Sequence, residues 1–570
     1  MDARSNIALH LVVLSSFCFL LFFAQLGKSP FFNKGEPREG LVVQNIFHQG
    51  NWLFPLRAGG EIPSKPPLFH WFGAIASAGL GGVTEFTVRF PSALFASLGI
   101  FSVYGLGRRL FNPETALWGG IILATSLGYQ HVAVSARVDM TLTFFLTLSL
   151  VLFYCLYHNT LERRLWYILF YLILGVGVLA KGPVSLILAG MVMLSFLGVN
   201  KRWDFLRRLL CDWAVLLMIL IPLFWYGMAT VKGGEEFFSR QIIHENIARF
   251  FLSGEGGTGH QKPFYYYFPY LFSQGLPWSL FLPFVLVSWF KNRRFSDEGY
   301  LFLILWVLII FVSFSLSAGK RSPYIIPLYP SLSLLTASWF LSTEGSSRHE
   351  KIGFRLIGLG SLMVAMFLLA SVLGILWGND LAWFITLFAP ALKEKDQANL
   401  LIVKQIMAQE GGLLLFLAVL CSVLWLSLSR SLWLLRLRPV LPLLAILSLL
   451  SGLFAHNTLT PSFAEAKSYA PFMEQVNQLT QDRRLFLVRG DFDPGLLYFY
   501  GKAEMVTLDR APKEMGEVLA SAKAYFILSE EDWKTLSQIV PASPKPILRS
   551  VGRGPDGNAR LVLVQGQNRG

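Results

Sequence analysis

Charged residues are scarce in this chain. Only 15% of its 570 residues are Asp, Glu, Lys or Arg, whereas 54% are hydrophobic and the mean hydropathy is +0.51. Soluble domains average about 25% charged residues, so this composition excludes a wholly soluble protein. It predicts a polytopic membrane protein instead.

Cysteine is also rare. The chain has four cysteines, Cys18, Cys155, Cys211 and Cys421, and no CxxC spacing among them. This pattern indicates neither a disulfide framework nor a zinc site. Each cysteine falls in or beside an apolar run, where it is best read as a small buried hydrophobic residue.

The motifs of nucleotide-driven and hydrolytic chemistry are missing from credible locations. There is no P-loop, GxGxxG, HExxH or Ser-His-Asp order. The net charge of +14 could suggest nucleic acid, but no basic face or recognition motif accompanies it. The positive charges lie in short loops between apolar runs, where membrane topology explains them.

Long apolar runs are what the sequence does contain. A search for spans of about 17–25 apolar residues finds about thirteen. The first, Ala8–Leu26, is longer than a usual signal-peptide core and lacks a clear cleavage site, so we interpret it as an uncleaved membrane helix. The spans lie near 8–26, 88–107, 115–133, 140–157, 165–180, 183–199, 210–230, 265–289, 299–316, 324–342, 354–377, 411–429 and 435–455.

Loop charge predicts the orientation of these spans. The loops that follow the even-numbered spans are short and basic, as cytoplasmic loops are. The N-terminus is therefore expected inside the cell and the C-terminus outside. The basic residues of these loops are Arg108 and Arg109; Arg163 and Arg164; Lys201, Arg202, Arg207 and Arg208; Lys291, Arg293 and Arg294; Arg348, Lys351 and Arg355; Arg430, Arg436 and Arg438.

The composition changes after His456. We expect a membrane domain over 1–458, with a first outer loop at 27–87 that carries interfacial helices. A small soluble α/β domain is expected over 459–570, outside the membrane, because short β-rich runs alternate there with helical patterns. The runs are Leu485–Val488, Ala524–Leu528 and Leu561–Val564, and the helical patterns are Ala470–Leu479, Lys513–Ala522 and Glu531–Ile539.

The first outer loop carries the first candidate site residues. Apolar residues at helical spacing predict an amphipathic helix over Pro37–Gln49, which Gly50 ends and which can lie in the membrane interface. It would hold Glu36 and Arg38 at the bilayer edge. Glu36 could deprotonate or orient an acceptor, and Arg38 could order it or hold a phosphate. A solvated salt bridge is the alternative.

Three outward-facing residues extend this set. Lys65 lies in Ser-Lys-Pro-Pro, where it is either a phosphate-binding ammonium or a snorkelling interfacial lysine. Asp139 follows Arg137 at the outer end of the fourth span, where an acidic residue is costly unless it is paired or functional. We expect Asp139 to orient Arg or Lys side chains, and a helix N-cap is the alternative.

The later outer loops add further candidates. His244, Glu245 and Arg249 could lie over a phosphate if their loop folds onto the site, but one His with one Glu is too little for a metal centre. Lys181 precedes Gly-Pro, and we interpret it as part of a tight external turn. Two cations and a tyrosine open the tenth span and suit an anionic head group, with an ordinary basic loop as the alternative. These are Lys320, Arg321 and Tyr324.

Taken together, these segments resemble the GT-C membrane glycosyltransferases, specifically the aminoarabinose-transferase-like branch related to protein O-mannosyltransferases. The matching pieces run in order over more than half of the chain. They are GEPRE (35–39), GNWLFP (50–55), SKPPLFHW (64–71), ARVDMTLTFF (136–145), LAKGP (179–183), HENIARF (244–250), KPFYYYFP (262–269), LPW (276–278) and GKRSPYIIPLYP (319–330).

The resemblance implies an all-α, polytopic GT-C fold and a sugar donor on polyprenyl phosphate, used from outside the membrane. Such an enzyme needs no nucleotide-binding fold. Lys65, Arg249 and Tyr324 look like phosphate-holding positions, with Lys320 and Arg321 beside them. The acidic group of the first loop would prepare the acceptor, and Asp139 looks like a supporting residue. Arg137, His244 and Glu245 are further supporting candidates.

Two positions depart from the family pattern. Gly35 stands where relatives often have Asp in Asp-Glu-x-x-Arg, so Glu36 would have to replace that group or the acceptor chemistry differs. Ser64 stands where Glu usually precedes Lys-Pro-Pro, which bears on any metal or donor contact of that Glu. No cofactor is implied with certainty, and a divalent metal is left open.

The hypothesis is an integral glycosyltransferase of the inner membrane that displaces polyprenyl phosphate from a sugar with an acceptor oxygen. Lipid A, another glycan or a protein hydroxyl could be the acceptor; membrane lipids surround the chain, and nucleic acid is not a partner. The alternative is a lipid-linked-sugar flippase, exporter or binding protein. Such a protein would require polar residues along a path through the spans. A membrane scaffold would leave the cation-rich outer loops unexplained.

Overall fold

The chain folds into helices that are mostly apolar, with one small sheet near its C-terminus. This computed structural model describes residues 3–159, 163–248, 262–291, 294–343, 347–376, 394–480, 485–488, 490, 492–502, 505–508, 524–539, 545–555 and 559–566. The predicted helix Lys513–Ala522 and the candidate Arg249 lie outside these residues.

The described α-helices are numbered in chain order. They are α1 (Ala3–Cys18), α2 (Glu36–Gln49), α3 (Leu68–Leu80), α4 (Glu85–Leu110), α5 (Pro113–Thr125), α6 (Leu127–Ala133), α7 (Val138–Tyr157), α8 (Arg164–Lys181), α9 (Val184–Val199), α10 (Trp203–Leu210), α11 (Val215–Phe237), α12 (Tyr267–Gln274), α13 (Leu282–Lys291), α14 (Glu298–Leu316), α15 (Tyr329–Ser342), α16 (Arg348–Leu376), α17 (Glu394–Gln409), α18 (Gly411–Trp433), α19 (Val440–Phe454), α20 (Thr460–Lys467), α21 (Ala470–Thr480), α22 (Gly495–Tyr500) and α23 (Glu530–Ile539).

Shorter helical segments join some of these helices. Tight 3₁₀ turns occupy Ala58–Gly60, Phe264–Tyr266, Trp278–Phe281, Arg294–Ser296 and Ser322–Leu328. Wider π-helical segments occupy Phe19–Phe23, Phe238–Ala248 and Ala455–Leu459. The segment Phe238–Ala248 continues directly from α11, and π-helical stretches of this kind often occur at functional sites.

Ten of the thirteen predicted spans coincide with helices that are long and apolar enough to cross a membrane, counted over the described residues. The predicted span 265–289 is a pair of helices bent by 111°. The span 183–199 is the shorter helix α9, and the span 115–133 is divided into α5 and α6 at Ser126, whose backbone is extended. The prediction of a polytopic, all-α GT-C protein with a small C-terminal α/β part is confirmed.

The chain divides into two compact units. The first comprises residues 1–26, 42–370 and 418–453, and the second comprises 27–41, 371–417 and 454–570. The boundary between them falls within α2, so the first outer loop contributes to both units.

Helix α7 lies at the centre of the first unit. Nearly all its side chains are buried and most are apolar, which is the pattern of a helix that is surrounded by other helices. It contacts α4, α8 and α9, and α5 packs against both α4 and α15. Neighbouring aromatic rings fill the core between these helices, as where Phe153 lies 6.2 Å from both Phe196 and Phe302.

Several predicted basic loops meet at one end of this first unit. The rings of Phe111 and Tyr300 are 5.1 Å apart, so the end of α4 lies beside the start of α14. The Tyr157 hydroxyl donates to Glu298 at 3.3 Å, and the Arg202 guanidinium lies 5.1 Å from the Tyr157 ring. Loop charge alone predicted that these loops lie on the same side of the membrane. In the structure they lie at the same end of the helix bundle.

The second unit contains a five-stranded sheet. Its strands are β1 (Leu485–Val488), β2 (Met505–Leu508), β3 (Tyr525–Ser529), β4 (Pro546–Arg549) and β5 (Leu561–Gln565), in the order β2-β1-β3-β5-β4. Strands β2, β1 and β3 are parallel, and β5 is antiparallel to β3 and β4. Buried residues of β3 and β5, such as Phe526 and Val564, form its core with Leu536 of α23.

Residues 27–41 pack within this second unit. The Phe31 amide donates to the Tyr500 hydroxyl at 2.7 Å, and the Phe31 carbonyl accepts from the Ser468 hydroxyl at 2.7 Å. The Phe31 ring lies 4.8 Å from Phe499. Gly40 also lies against Phe499, so closely that a side chain at this position would collide with the ring. The start of the first outer loop is therefore held by helix α22 and by Ser468, the residue that follows α20.

Candidate active site

Asp139 is a buried carboxylate at the first turn of α7. Arg137, in extended backbone, precedes the helix, and its carbonyl accepts a hydrogen bond from Ser92 at 3.3 Å. The Asp139 carboxylate accepts from the ammonium of Lys181 and forms an ion pair with it. Both side chains are about 10% exposed, at 11% and 9%. The positive end of the α7 dipole also favours an acidic group here.

Lys181 is the last residue of α8. Gly182 follows with a positive φ of 87°, and Pro183 prevents the helix from continuing. The Lys181 ammonium lies 4.0 Å from the centre of the Tyr324 ring, within cation–π distance. The predicted tight turn therefore exists, and it also places Lys181 between Asp139 and Tyr324.

A second ion pair joins Lys65 to Glu245. Pro66 and Pro67 fix the backbone after Lys65, and α3 begins directly after them. The Lys65 ammonium donates to the Glu245 carboxylate, and the two side chains are 14% and 18% exposed. The large outer loop after α11 thus folds onto the first outer loop, as the role predicted for His244 and Glu245 requires.

Two further contacts hold these loops together. The Gln241 amide donates to the Pro63 carbonyl, and Arg240 forms an ion pair with Glu61. The three contacts come from the π-helical segment Phe238–Ala248 and all meet residues 61–65. His244 lies on the same segment, but its side chain is exposed.

Positive charge exceeds negative charge in this group of residues. Lys65 and Arg137, like Lys181, are near enough to Asp139 to interact with its charge. Three cations, Lys65, Arg137 and Lys181, thus accompany two carboxylates, Asp139 and Glu245, and the sum is one positive charge. We call these five residues and Tyr324 the cationic cluster. It lies in the first unit and joins five separate segments of the chain.

The loop before α15 approaches the same cluster through tyrosines. The Tyr267 hydroxyl donates to the carbonyl of Arg321 at 3.2 Å, and Tyr267 is close enough to interact electrostatically with Asp139 and Tyr324. The Arg321 side chain is exposed. Lys320 is buried, and its ammonium donates to the carbonyl of Ser317 in its own loop. This burial lowers the pKa of Lys320 below its ordinary value.

Glu36 and Arg38 belong to the second unit. Glu36 is the first residue of α2 and is only 3% exposed. Asn33 caps this helix: its side-chain oxygen accepts from the amides of Gly35 and Glu36 at 2.9 Å, and its amide donates to the Glu36 carboxylate at 2.6 Å. Arg38 is half exposed and donates to the carboxylate of Asp493 at 2.6 Å.

Metal ligation finds little support in the part of the chain that the structure describes. It contains no group of three or more His, Cys, Asp or Glu side chains placed to hold an ion. Asp139 and Glu245 each pair with a lysine, which is a different arrangement from a carboxylate cage. Ser64, at the position of the family's usual acid, supplies only a hydroxyl.

Several known proteins are similar to this chain in sequence. A family model described as dolichyl-phosphate-mannose-protein mannosyltransferase matches residues 64–226. The chain is 32% identical over 304 residues to undecaprenyl phosphate-alpha-4-amino-4-deoxy-L-arabinose arabinosyl transferase 1 of Pseudomonas fluorescens, covering 53% of this chain and 52% of the relative. It is 30% identical to the corresponding transferase of an Enterobacter species, covering 60% of this chain and 61% of the relative.

The solved structures extend the likeness over nearly the whole fold. ArnT from Cupriavidus metallidurans, in a crystal structure bound to undecaprenyl phosphate, superposes with a TM-score of 0.75 at 21% identity, covering 99% of this chain and 98% of ArnT. Its apo structure gives a TM-score of 0.73. The chain has the GT-C fold of ArnT. It is a multi-pass membrane protein.

The sequence matches to the two arabinosyl transferases span about half to three fifths of those relatives. The activity of this chain is therefore a proposal. Its candidate residues fall into two groups, with Lys65, Arg137, Asp139, Glu245 and Tyr324 in the cationic cluster of the first unit and Glu36 and Arg38 in the second unit.

Two residues that sequence reasoning missed become visible in the structure. Lys181 belongs to the cationic cluster, and the need of Asp139 for a cation was the signal that could have identified it. Asp493 is the partner of Arg38, but it lies 455 residues further along the chain in a stretch with no motif. Nothing in the sequence connects these two residues.

Proposed function

We propose that this protein is a membrane glycosyltransferase that moves a sugar from a polyprenyl-phosphate donor to an acceptor hydroxyl. The cationic cluster is the observation that carries the proposal. Lysines that are paired and oriented before the donor arrives can neutralise a phosphate without reorganising, and such charges act strongly where water is excluded. The names of the relatives suggest that the sugar is a pentose of the aminoarabinose type.

The proposed reaction is a displacement at the anomeric carbon. The acceptor oxygen forms a bond to that carbon, the bond from the carbon to the phosphate oxygen breaks, and its electron pair leaves with polyprenyl phosphate. Lys65, Lys181 and Arg137 would stabilise the charge that develops on the phosphate, with Arg249, Lys320 and Arg321 as further candidate contacts. Tyr324 would hold Lys181 in place and could donate its hydroxyl proton to a phosphate oxygen.

Glu36 is the proposed base. Its carboxylate would orient the acceptor hydroxyl and take up the proton that the hydroxyl loses. This role replaces the aspartate that relatives carry at the position of Gly35. Arg38 and His244 would then position the acceptor or hold their own loops in place, and they would take no part in the proton transfer.

The proposed setting is the bacterial inner membrane. The basic loops would face the cytoplasm, the cationic cluster would lie at the outer leaflet, and residues 459–570 would form an extracytoplasmic domain. Lipid A or another glycan with a free hydroxyl is the acceptor class that we favour.

The proposal can be tested with purified protein in lipid nanodiscs. Undecaprenyl phosphate that carries radiolabelled aminoarabinose is supplied with lipid A, and both labelled lipid A and released undecaprenyl phosphate are quantified. We expect both products in equal amounts. Donor binding without release in every acceptor mixture would contradict a transferase and favour a flippase or binding protein.

A further inference from the structure

A cavity lies in the first unit, apart from the cationic cluster. Its volume is about 530 Å³, which is within the range of about 300–1,000 Å³ typical of small-molecule sites. It lies where α13 and α15 end and where α14 and α16 begin, at the end of the bundle that carries the basic loops. Its lining includes Phe284, Trp289, Lys291, Arg294, Tyr300 and Trp339.

One wall of this cavity is aromatic and well packed. The rings of Phe284 and Trp339 are parallel within 12° at a distance of 6.0 Å, and Phe354 packs behind both. The Trp339 indole N–H is buried and has no hydrogen-bond partner among the described residues. An unpaired buried donor is costly, so the packing of this wall is what keeps Trp339 in place.

The lining of the cavity is also cationic. The Arg294 guanidinium lies 4.5 Å from the centre of the Tyr300 ring, which fixes its position. Within the described part of the chain, neither Arg294 nor Lys291 forms an ion pair with a carboxylate. Glu350 is the acidic residue in the lining, and it is engaged with the hydroxyls of Ser347 and Thr343 at the start of α16. Two cations therefore face one carboxylate that already has partners.

The mouth of the cavity continues into an apolar surface. Val287 and Phe290 of α13 are 61% and 71% exposed, and Val287 also lines the cavity. A ligand that fits has an anionic head with hydrogen-bond acceptors and two apolar tails. Basic cavities between helices on the cytoplasmic side of membrane proteins bind phospholipid head groups of this kind.

We infer that this cavity binds an anionic glycerophospholipid of the leaflet on the basic side of the membrane. The phosphodiester lies between Lys291 and Arg294, the glycerol lies against the aromatic wall, and the acyl chains run along α13. This lipid is a structural ligand at the other end of the bundle from the cationic cluster. The inference does not depend on the proposed transfer reaction.

Native mass spectrometry of the purified full-length protein tests the inference. The protein is titrated with phosphatidylglycerol, phosphatidylcholine or glycerol 1-phosphate, and bound molecules are counted. We expect phosphatidylglycerol to be retained in preference to phosphatidylcholine. Loss of one cation should weaken the binding of phosphatidylglycerol about fivefold. We therefore expect this effect for Lys291→Gln and for Arg294→Gln.

Matched variants separate this cavity from general attraction to anionic lipid. Arg108 also lies over a tyrosine, at 5.7 Å from the Tyr104 ring, but outside the cavity, so Arg108→Gln should retain phosphatidylglycerol normally. Lys65→Ala should also retain it, because Lys65 belongs to the cationic cluster. Because Lys291 is exposed, Lys291→Gln should fold even if Arg294→Gln does not.

Three results would overturn the inference. One is an equal loss of phosphatidylglycerol binding in Arg108→Gln and Lys291→Gln, which would indicate only a general attraction between basic loops and anionic lipid. Another is equal retention of phosphatidylcholine by the wild-type protein. The third is binding of glycerol 1-phosphate as tight as that of the lipid, which would make the ligand a soluble phosphate.

Discussion

The Arg38 guanidinium donates to the Asp493 carboxylate at 2.6 Å, and this ion pair joins the start of α2 to the turn before α22. Asp493 also accepts from the Gly495 amide at 2.9 Å, so its orientation is fixed. Together with the contacts of Phe31, this pair makes residues 27–41 a part of the second unit. The C-terminal part of the second unit therefore holds the segment that carries Glu36.

Replacing Asp493 tests this positioning role. Asp493→Asn keeps the size of the side chain but removes the charge that orients Arg38. We expect the free energy of unfolding to fall by only about 0.2–1 kcal/mol, because Arg38 is half exposed. Transfer should fall more than that loss of stability explains, mainly through KM for the acceptor, and Asp493→Glu should restore part of it. Unchanged acceptor KM would show that the pair is only structural.

Replacing Glu36 tests whether this residue is the base of the proposed reaction. Glu36→Gln can still accept the hydrogen bond from Asn33, so the protein should fold and expression should be normal. If Glu36 is the base, the rate of transfer should fall by about 10²–10⁴. Glu39→Gln, one turn along α2, is the matched control and should stay within about twofold of the wild type. Rapid transfer by Glu36→Gln would remove this residue from the chemistry.

The buried pair of Lys181 and Asp139 predicts a non-additive mutant cycle. Lys181→Met leaves a buried carboxylate without its partner and should cost about 3–5 kcal/mol of stability, and Asp139→Asn should also destabilise the protein. The double variant should recover much of that stability, because neither charge remains unpaired. It should not recover transfer if Lys181 binds phosphate. Thermal unfolding and transfer assays on the three variants give the answer, and additive losses of stability would contradict the pairing.

Lys320 predicts a pH-dependent stability. Because burial lowers its pKa, the folded state releases the Lys320 proton at a lower pH than the unfolded state does. The charge is therefore unfavourable to folding at neutral pH, and stability rises as the pH increases from the folded pKa towards the ordinary lysine value. Lys320→Met should raise the melting temperature at pH 7, and this difference should shrink towards pH 10. A constant difference would contradict it.

Much of the fold follows from the sequence because its main signals are local. Runs such as 140–157 and 299–316 are mainly apolar and carry no charge, and a run of that kind and length has few options other than a membrane helix. The division of 115–133 at Ser126 was not predicted, because hydropathy does not register a single extended residue. Likewise, the bend in 265–289 depends on how its two halves pack rather than on their composition.

The candidate site could be predicted only in part, because its contacts join residues that are far apart in the sequence. Residue types on the outer loops identified Lys65, Asp139, Glu245 and Tyr324 as candidates, but not which of them pair. Lys181 was interpreted as a turn residue because Gly182 and Pro183 account for it locally. Its partners come from α7 and the start of α15, and contacts between distant segments have no signature in a single sequence.

Transfer by Lys65→Ala is the most direct test of the claim that the cationic cluster holds the donor phosphate. Release of undecaprenyl phosphate is followed in a single turnover, with excess enzyme, for the wild type, Lys65→Ala and Arg240→Gln. Arg240 pairs with Glu61 between the same two loops, so its variant controls for loop packing. We predict a loss of at least about 100-fold for Lys65→Ala and near-normal release for Arg240→Gln. Equal rates for Lys65→Ala and the wild type would contradict the account.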